Sequence, residues 1–185
     1  MFPMSRIRAA TAVDAGAIAA VHVACWRESY PGLVADRILS GLSIEKRAAS
    51  WLRILNDPSA NHDTAVYVAA DRDGSILGFG ACSGQRTHDL ADGGFAGEFQ
   101  SIYVLRQAQR RRLGAALMAA MAQDLESRGL VGAALWVLRG NTPARGFYEA
   151  VGGGIVGERD ERRDGQVLPE VAYGWRRLPP LYGGR

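Results

Sequence analysis

Apolar residues recur along this chain in two rhythms. Leu113, Ala116, Leu117, Ala120, Met121 and Leu125 fall at helical spacing, and Gly129 gives a stop signal. A helix is therefore expected from Leu113 to about Arg128. Ile18, Val21 and Cys25 mark one face of an earlier helix that runs to about Glu28. Thr11 to Asp14 has the form of an N-terminal capping box, with Asp in place of Glu, and Tyr30-Pro31-Gly32 breaks the helix. Leu33 to Leu42 has room for a short helical turn. Ser43 is expected to cap the next helix, with Ile44, Ala48, Trp51, Leu52 and Leu55 on one face and Asn56-Asp57-Pro58 at its end. The last helix opens at Asn141-Thr142-Pro143, with Thr142 as N-cap and Pro143 in the first helical position. Ala144, Phe147, Tyr148 and Val151 form its apolar face, and Gly152-Gly153-Gly154 stops it.

The second rhythm is that of strands. Ile7 lies in a short first strand. Ala65 to Ala70 and Ile76 to Cys82 flank Asp73-Gly74, a hairpin signal. Glu98 to Val104 is the next strand, after a polar loop from Gln85 to Gly97. Ala133 to Leu138 is a continuous apolar run, as an interior strand would be. Ile155 to Glu161 and Val167 to Arg176 flank Asp164-Gly165, a last hairpin in which Val171, Tyr173 and Trp175 share one side. The tail from Pro179 is expected to be loose. Together these elements predict an α/β fold: a mixed, mostly antiparallel sheet with a central strand–helix–strand crossover and flanking helices.

Length and composition narrow the classes. The 185 residues read as one domain over 1–185, with a core from about 6 to 176. With 48% hydrophobic and 22% charged residues, the composition is that of a globular chain. The net charge of +3 is mild, and charge is well mixed except at Arg110 to Arg112, so no nucleic-acid partner is expected. No apolar run is long enough to span a membrane, and Met1 to Arg8 lacks the apolar core of a signal peptide. Cys25 and Cys82 do not make a disulfide framework. A cytoplasmic protein with two reduced, buried thiols is expected. His22, His62 and His88 are too scattered to form a metal set, so no metal is expected.

The stretch with most chemical content is Gln109-Arg110-Arg111-Arg112-Leu113-Gly114. It joins the strand ending at Val104 to a helix N-terminus. The first amides of a helix have no partner inside it, and the macrodipole favours an anion there. Three arginines do not help that end of the helix, unless a phosphate sits among them. Read alone, the stretch is equally a basic, exposed helix start of the kind that meets nucleic acid.

Gln109 to Gly114 resembles the Q/R-x-x-G-x-G/A signature of the GCN5-related N-acetyltransferases, with Arg112 at the position of the first glycine. Asn141-Thr142-Pro143-Ala144-Arg145-Gly146-Phe147-Tyr148 is similar to the second signature, N-x-x-A-x-x-x-Y, with each fixed residue present. The order of elements from Ile7 to Arg176 also matches that family's fold. The resemblance implies an N-acetyltransferase that moves an acetyl group from acetyl-CoA to a primary amine of a small molecule or protein, within a ternary complex. It places Ile102, Tyr103, Val104 and Leu105 along the pantetheine arm. Gln109, Arg110, Arg111, Arg112, Leu113, Gly114 and Ala115 would hold the pyrophosphate. Asn141, Ala144, Phe147 and Tyr148 would complete the cofactor site, with the Tyr148 hydroxyl meeting the coenzyme sulfur.

Acyl transfer to an amine needs a held cofactor, a neutral amine, a donor for the oxyanion and a proton for the departing thiolate. Tyr148 is the candidate acid, although on its helix it reads equally as a core tyrosine. Glu98 starts an otherwise apolar strand and is the candidate base, directly or through a water, with Gln100 on the same face. Trp26, Tyr30 and Trp51 read as either core or acceptor-pocket residues. The other class that fits is a non-catalytic acyl-CoA-binding or sensing module. A homodimer is one assembly open to either.

Overall fold

A computed structural model of the chain describes residues 6–178. The expected loose tail from Pro179 lies outside them. The strands are β1 (Arg6–Ala9), β2 (Ala65–Ala70), β3 (Ile76–Gly84), β4 (Gly97–Val104), β5 (Ala133–Leu138), β6 (Gly154–Arg163) and β7 (Gln166–Trp175). The helices are α1 (Ala15–Ser29), α2 (Asp36–Ser40), α3 (Ile44–Asn56), α4 (His88–Asp92), α5 (Leu113–Ser127) and α6 (Thr142–Ala150). The strands form one seven-stranded sheet in the order β1-β2-β3-β4-β5-β7-β6. Every neighbouring pair is antiparallel except β4 and β5, which α5 connects as the expected crossover.

Helices cover both faces. Ile18, Val21 and Cys25 of α1 and Trp51 of α3 pack on Val66, Val68, Phe79 and Ala81. On the opposite face Met118, Met121 and Leu125 of α5 pack on Cys82, Phe99 and Leu135. Val171, Tyr173 and Trp175 join that cluster with Tyr148 of α6, so the alternation seen in the sequence matches the packed side of β7. Both cysteines are free and buried.

Local signals act largely as expected. The Asp14 carboxylate accepts from the Thr11 backbone N–H at 2.8 Å and is clamped by Arg8 at 2.7 Å. The box opens a single 3-10 turn, Ala12–Asp14, before α1 begins. Ser43 Oγ accepts from the Lys46 N–H and caps α3. Asp164 and Gly165 both adopt positive φ, the conformation a tight hairpin turn requires.

Two expectations need correction. The cap of α6 is Asn141, not Thr142: its side chain accepts from Ala144 N at 3.3 Å. Pro143 has no N–H to offer, so the cap reaches the next amide, and Thr142 becomes the first helical residue. The Gln85 to Gly97 loop holds the short helix α4, because Leu90 finds an apolar seat with Phe95, Ala134 and Ala172. Tertiary packing, which local sequence does not report, decides that turn.

Gly132 shows how closely the start of β5 is fitted. Its φ is +70°, and a Cβ there would stand 2.7 Å from the Gly94 carbonyl oxygen and 3.2 Å from that of Trp175. Its own carbonyl accepts the Gly97 N–H where β4 begins. Gly132→Ala is expected to destabilise the fold by about 2 kcal/mol or more, through left-handed strain and backbone overlap together. An unchanged urea midpoint would show that the backbone relaxes without cost.

Candidate active site

The parallel strands β4 and β5 pair at only two positions, Gly97 with Ala133 and Glu98 with Ala134. Beyond them β4 stays bonded to β3 as far as Val104, and β5 to β7 as far as Leu138. The facing edges from Phe99 and Leu135 onward thus carry backbone groups with no partner in the sheet. A cleft of about 1460 Å³ opens there. Buried backbone groups require partners, so this gap suits an extended ligand with amide-like donors and acceptors. A bulge assists the parting: Ser101 opposes Ala81 and Phe99 opposes Cys82, which leaves Gln100 as the extra residue. Ser101 Oγ is buried on the cleft wall and is unpartnered among the described residues.

Ile102, Tyr103 and Val104 line the cleft, and the chain then turns through the arginines into α5. Arg110 and Arg112 have φ of 62° and 63°, a left-handed conformation that L-residues adopt at a cost. This gives the physical reason a glycine would suit position 112. Arg110, Arg112, Leu113, Gly114 and Ala115 line the cleft, whereas Arg111 and Leu105 stand off its lining. The first free amides of α5 therefore open onto the same space as two guanidiniums. Gln109 Nε2 donates to the Val104 carbonyl at 3.0 Å and fastens the turn to the end of β4. Gly114 is small for another reason: a Cβ there would meet the Phe147 ring at 3.2 Å.

Through that contact α6 is seated on the first turn of α5. Tyr148 follows Phe147 and is 8% exposed, within 5.8 Å of the Tyr173 ring and 6.1 Å of the Trp175 ring, centroid to centroid. It lines the cleft, and among the described residues nothing hydrogen-bonds its hydroxyl. Burial pushes its phenol well above the ordinary value, with nearby Tyr30 adding to the effect. The group stays protonated throughout the physiological range.

Two buried carboxylates on the cleft wall are held by arginines. Glu98 accepts from Arg86 Nε at 2.8 Å, from its NH2 at 2.7 Å and from its backbone N–H at 3.2 Å. Glu170 accepts from Arg159, whose guanidinium lies 4.2 Å above the Trp136 ring. Gln100 donates to Ser83 Oγ at 2.7 Å and to Thr64 Oγ1 at 3.1 Å. Its amide is therefore fixed beside the β3 partner of Glu98.

The remaining wall is aromatic. Trp26 Nε1 donates to the Tyr103 hydroxyl at 3.0 Å, and that oxygen is 3.3 Å from the Tyr30 hydroxyl. Trp51 Nε1 donates to His22 Nδ1 at 3.2 Å. An indole N–H can only donate, so Nδ1 is the acceptor and the neutral ring carries its proton on Nε2. Burial, with the Arg47 charge second, pulls the His22 imidazole down to about 3. Above these groups the α1–α2 connection meets the β6–β7 turn. Ala35 N donates to Gln166 Oε1 at 2.8 Å, Gln166 Nε2 to the Leu33 carbonyl at 3.3 Å, and Arg37 to the Asp164 carbonyl. The contact ties the α1–α2 connection to the β6–β7 turn beside the cleft residues Val34, Arg163 and Asp164.

The structure thus brings Glu98, Gln100, the arginine turn, Asn141 and Tyr148 to one cleft, and adds Trp26, Tyr30 and Trp51 to its wall. Sequence reasoning did not find Arg86, Arg159, Glu170, His22 or Gln166. Arg86 and Glu98 are twelve residues apart across a loop, a pairing that no periodicity signals.

A family model described as the acetyltransferase (GNAT) family matches residues 26–153. The chain is 32% identical over 178 residues to the uncharacterized N-acetyltransferase YuaI of Bacillus subtilis, covering 96% of each chain. Its fold is similar to that of the PaiA N-acetyltransferase of Thermoplasma acidophilum in complex with coenzyme A. That likeness has a TM-score of 0.69 and 18% identity, over 93% of this chain and 99% of that one. YncA of Salmonella typhimurium with acetyl-CoA gives a TM-score of 0.67 and 16% identity, over 98% and 96%.

Two outcomes follow from the geometry. Arg112→Gly is expected to raise stability by up to about 1 kcal/mol, because glycine holds the left-handed conformation freely, and Arg112→Val to lower it. Urea denaturation of both variants checks this; a stabilised valine variant would contradict it. Acid should act through His22. The folded ring takes a proton only near 3, whereas the unfolded chain takes one near the ordinary value of about 6.5. Its contribution to stability is complete above that ordinary value. It is lost as pH falls from there towards about 3, by at most about 1.4 kcal/mol per pH unit. His22→Gln, which can still accept from Trp51, should flatten the decline between about pH 6.5 and 4.5. An unaltered slope would place the acid sensitivity elsewhere.

Proposed function

The chain belongs to the GNAT family of acetyltransferases, and from that premise we propose a specific way in which it works. It is an acetyl-CoA-dependent N-acetyltransferase. In our reading the acceptor is a primary amine of a small molecule or protein, and it attacks the thioester directly while both substrates are bound. One observation carries this reading: the parted strands β4 and β5 form a cleft with the arginine turn and the unpartnered Tyr148 hydroxyl in its wall.

The residues present suit acetyl-CoA. The free edge of β4 and the orphaned Ser101 hydroxyl offer partners to an extended arm with amide groups. Arg110, Arg112 and the first amides of α5 offer a phosphate charge-assisted donors. When bound, acetyl-CoA supplies the activated acyl group. Tyr148 then faces the departing sulfur as a donor. Because its phenol is held protonated, it stabilises the developing thiolate by hydrogen bonding more than by full proton transfer. Glu98 is committed to Arg86 on both oxygens, so the amine proton leaves through a water that Glu98 and Gln100 orient.

Direct transfer is favoured over an acyl-enzyme route by the state of the thiols. Burial, then the charge of Glu28, pushes Cys25 up to about 12, and burial also pushes Cys82 up. Neither thiol offers a ready thiolate. We take residues 6–176 as the catalytic domain.

Tyr148→Phe removes one hydroxyl and keeps the ring that packs on Phe147, Tyr173 and Trp175. The expected result is a fall in kcat of about 10²–10³-fold with little change in KM for acetyl-CoA. Wild-type turnover by this variant on a good acceptor would remove Tyr148 from the mechanism.

A further inference from the structure

Six arginines line the cleft, Arg47, Arg86, Arg110, Arg112, Arg159 and Arg163, against three acidic residues, Glu98, Asp164 and Glu170. Arg86 and Arg159 are committed to Glu98 and Glu170, each at 2.7 Å. Arg110 and Arg112 stand at the α5 N-terminus, where the phosphates belong. Arg47 and Arg163 are left. Neither guanidinium has a carboxylate within 4.0 Å among the described residues.

Both line the cleft wall that carries one aromatic feature. The Arg47 guanidinium lies over the Trp26 ring, 5.8 Å from its centroid. Trp26 meets Tyr30 edge-on at 4.9 Å. Arg163, at the end of β6, lines the same cleft as Tyr30. Trp26 and Tyr30 are both held by the Tyr103 hydroxyl, so the platform is rigid. Arg47 is half-buried, and its guanidinium, held against the indole face without a carboxylate, is free to give an anionic ligand a charge-assisted partner. The same surplus of positive charge repels a polycationic acceptor.

Resting on the acetyltransferase reading, we propose that the acceptor is a small amine carrying its own carboxylate, an amino acid in chemical class, held by the two uncommitted arginines of the cleft, Arg47 over Trp26 and Arg163 at the end of β6. A planar carboxylate accepts the two-pronged bond that a guanidinium offers.

The experiment uses the full chain with acetyl-CoA and thiol detection. The acceptors are the standard amino acids, each beside its α-carboxamide, with a linear polyamine as a cationic control. Losing the charge should lower kcat/KM by about ten- to hundred-fold for the preferred acceptor. This preference would run against intrinsic reactivity, because an amide makes the neighbouring amine less basic and more often neutral. Arg47→Gln and Arg163→Gln should each raise KM for that acceptor and shrink the preference. KM for acetyl-CoA should stay within about twofold. Equal use of acid and amide by the unaltered enzyme, better use of the polyamine, or a rise in KM for acetyl-CoA instead would overturn the proposal while leaving the transfer reaction intact. Acetyl-CoA binding in calorimetry with turnover of no acceptor would count against the catalytic reading and take the proposal with it.

Discussion

The parting of two parallel strands is the constraint on which the rest of this molecule depends. β4 and β5 hold together for two residues and then separate, and each edge keeps its outer neighbour. Several local features serve that separation. Gly132 and Gly97 let the chains approach at the closed end. The bulge at Gln100 bends β4 away and turns a polar side chain towards Ser83 and Thr64. The crossover through α5 then delivers a helix N-terminus to the open end. An open sheet interior is costly unless a ligand replaces the missing bonds, so fold and ligand are matched through backbone chemistry before any side chain is considered.

Electrostatics divides the cleft into unlike regions. Carboxylates on its wall are neutralised by partners from other elements, Arg86 from the loop after β3 and Arg159 from β6. The turn before α5 combines cations with unfilled amides. The aromatic wall holds a neutral histidine, a deeply buried hydroxyl and two indole donors, each directed at a named acceptor. A site built this way keeps its polar groups oriented with little reorganisation, the condition under which fixed dipoles act strongly on a reacting centre.

Much of this was legible in the sequence, for identifiable reasons. Helical spacing located α1, α3, α5 and α6, and Asp-Gly pairs located both hairpins, because these signals are local. The arginine turn and the Asn141 to Tyr148 stretch could be read because their chemistry is contiguous. The cap of α6 lies one residue earlier than expected because Asn141 is itself a strong capping residue and proline is tolerated throughout the first turn, so the local sequence fits either start. The helix α4, the bulge at Gln100 and the clamp of Arg86 on Glu98 were not legible. Each depends on an element that returns from elsewhere in the chain, so no window of sequence contains both partners. The contact at Gln166 is the extreme case, with its partners 131 and 133 residues away.

The tryptophans have a consequence of another kind. Of four in the chain, Trp26, Trp51 and Trp136 line the cleft, and Trp175 lies in the core beneath. Trp51 is bonded to a histidine, Trp26 to a phenol, and Trp136 stacks under a guanidinium. Such neighbours govern how an excited indole returns to its ground state. A ligand entering the cleft changes the surroundings of three of the four indoles, so the near-ultraviolet emission of this protein is a built-in optical gauge of occupancy.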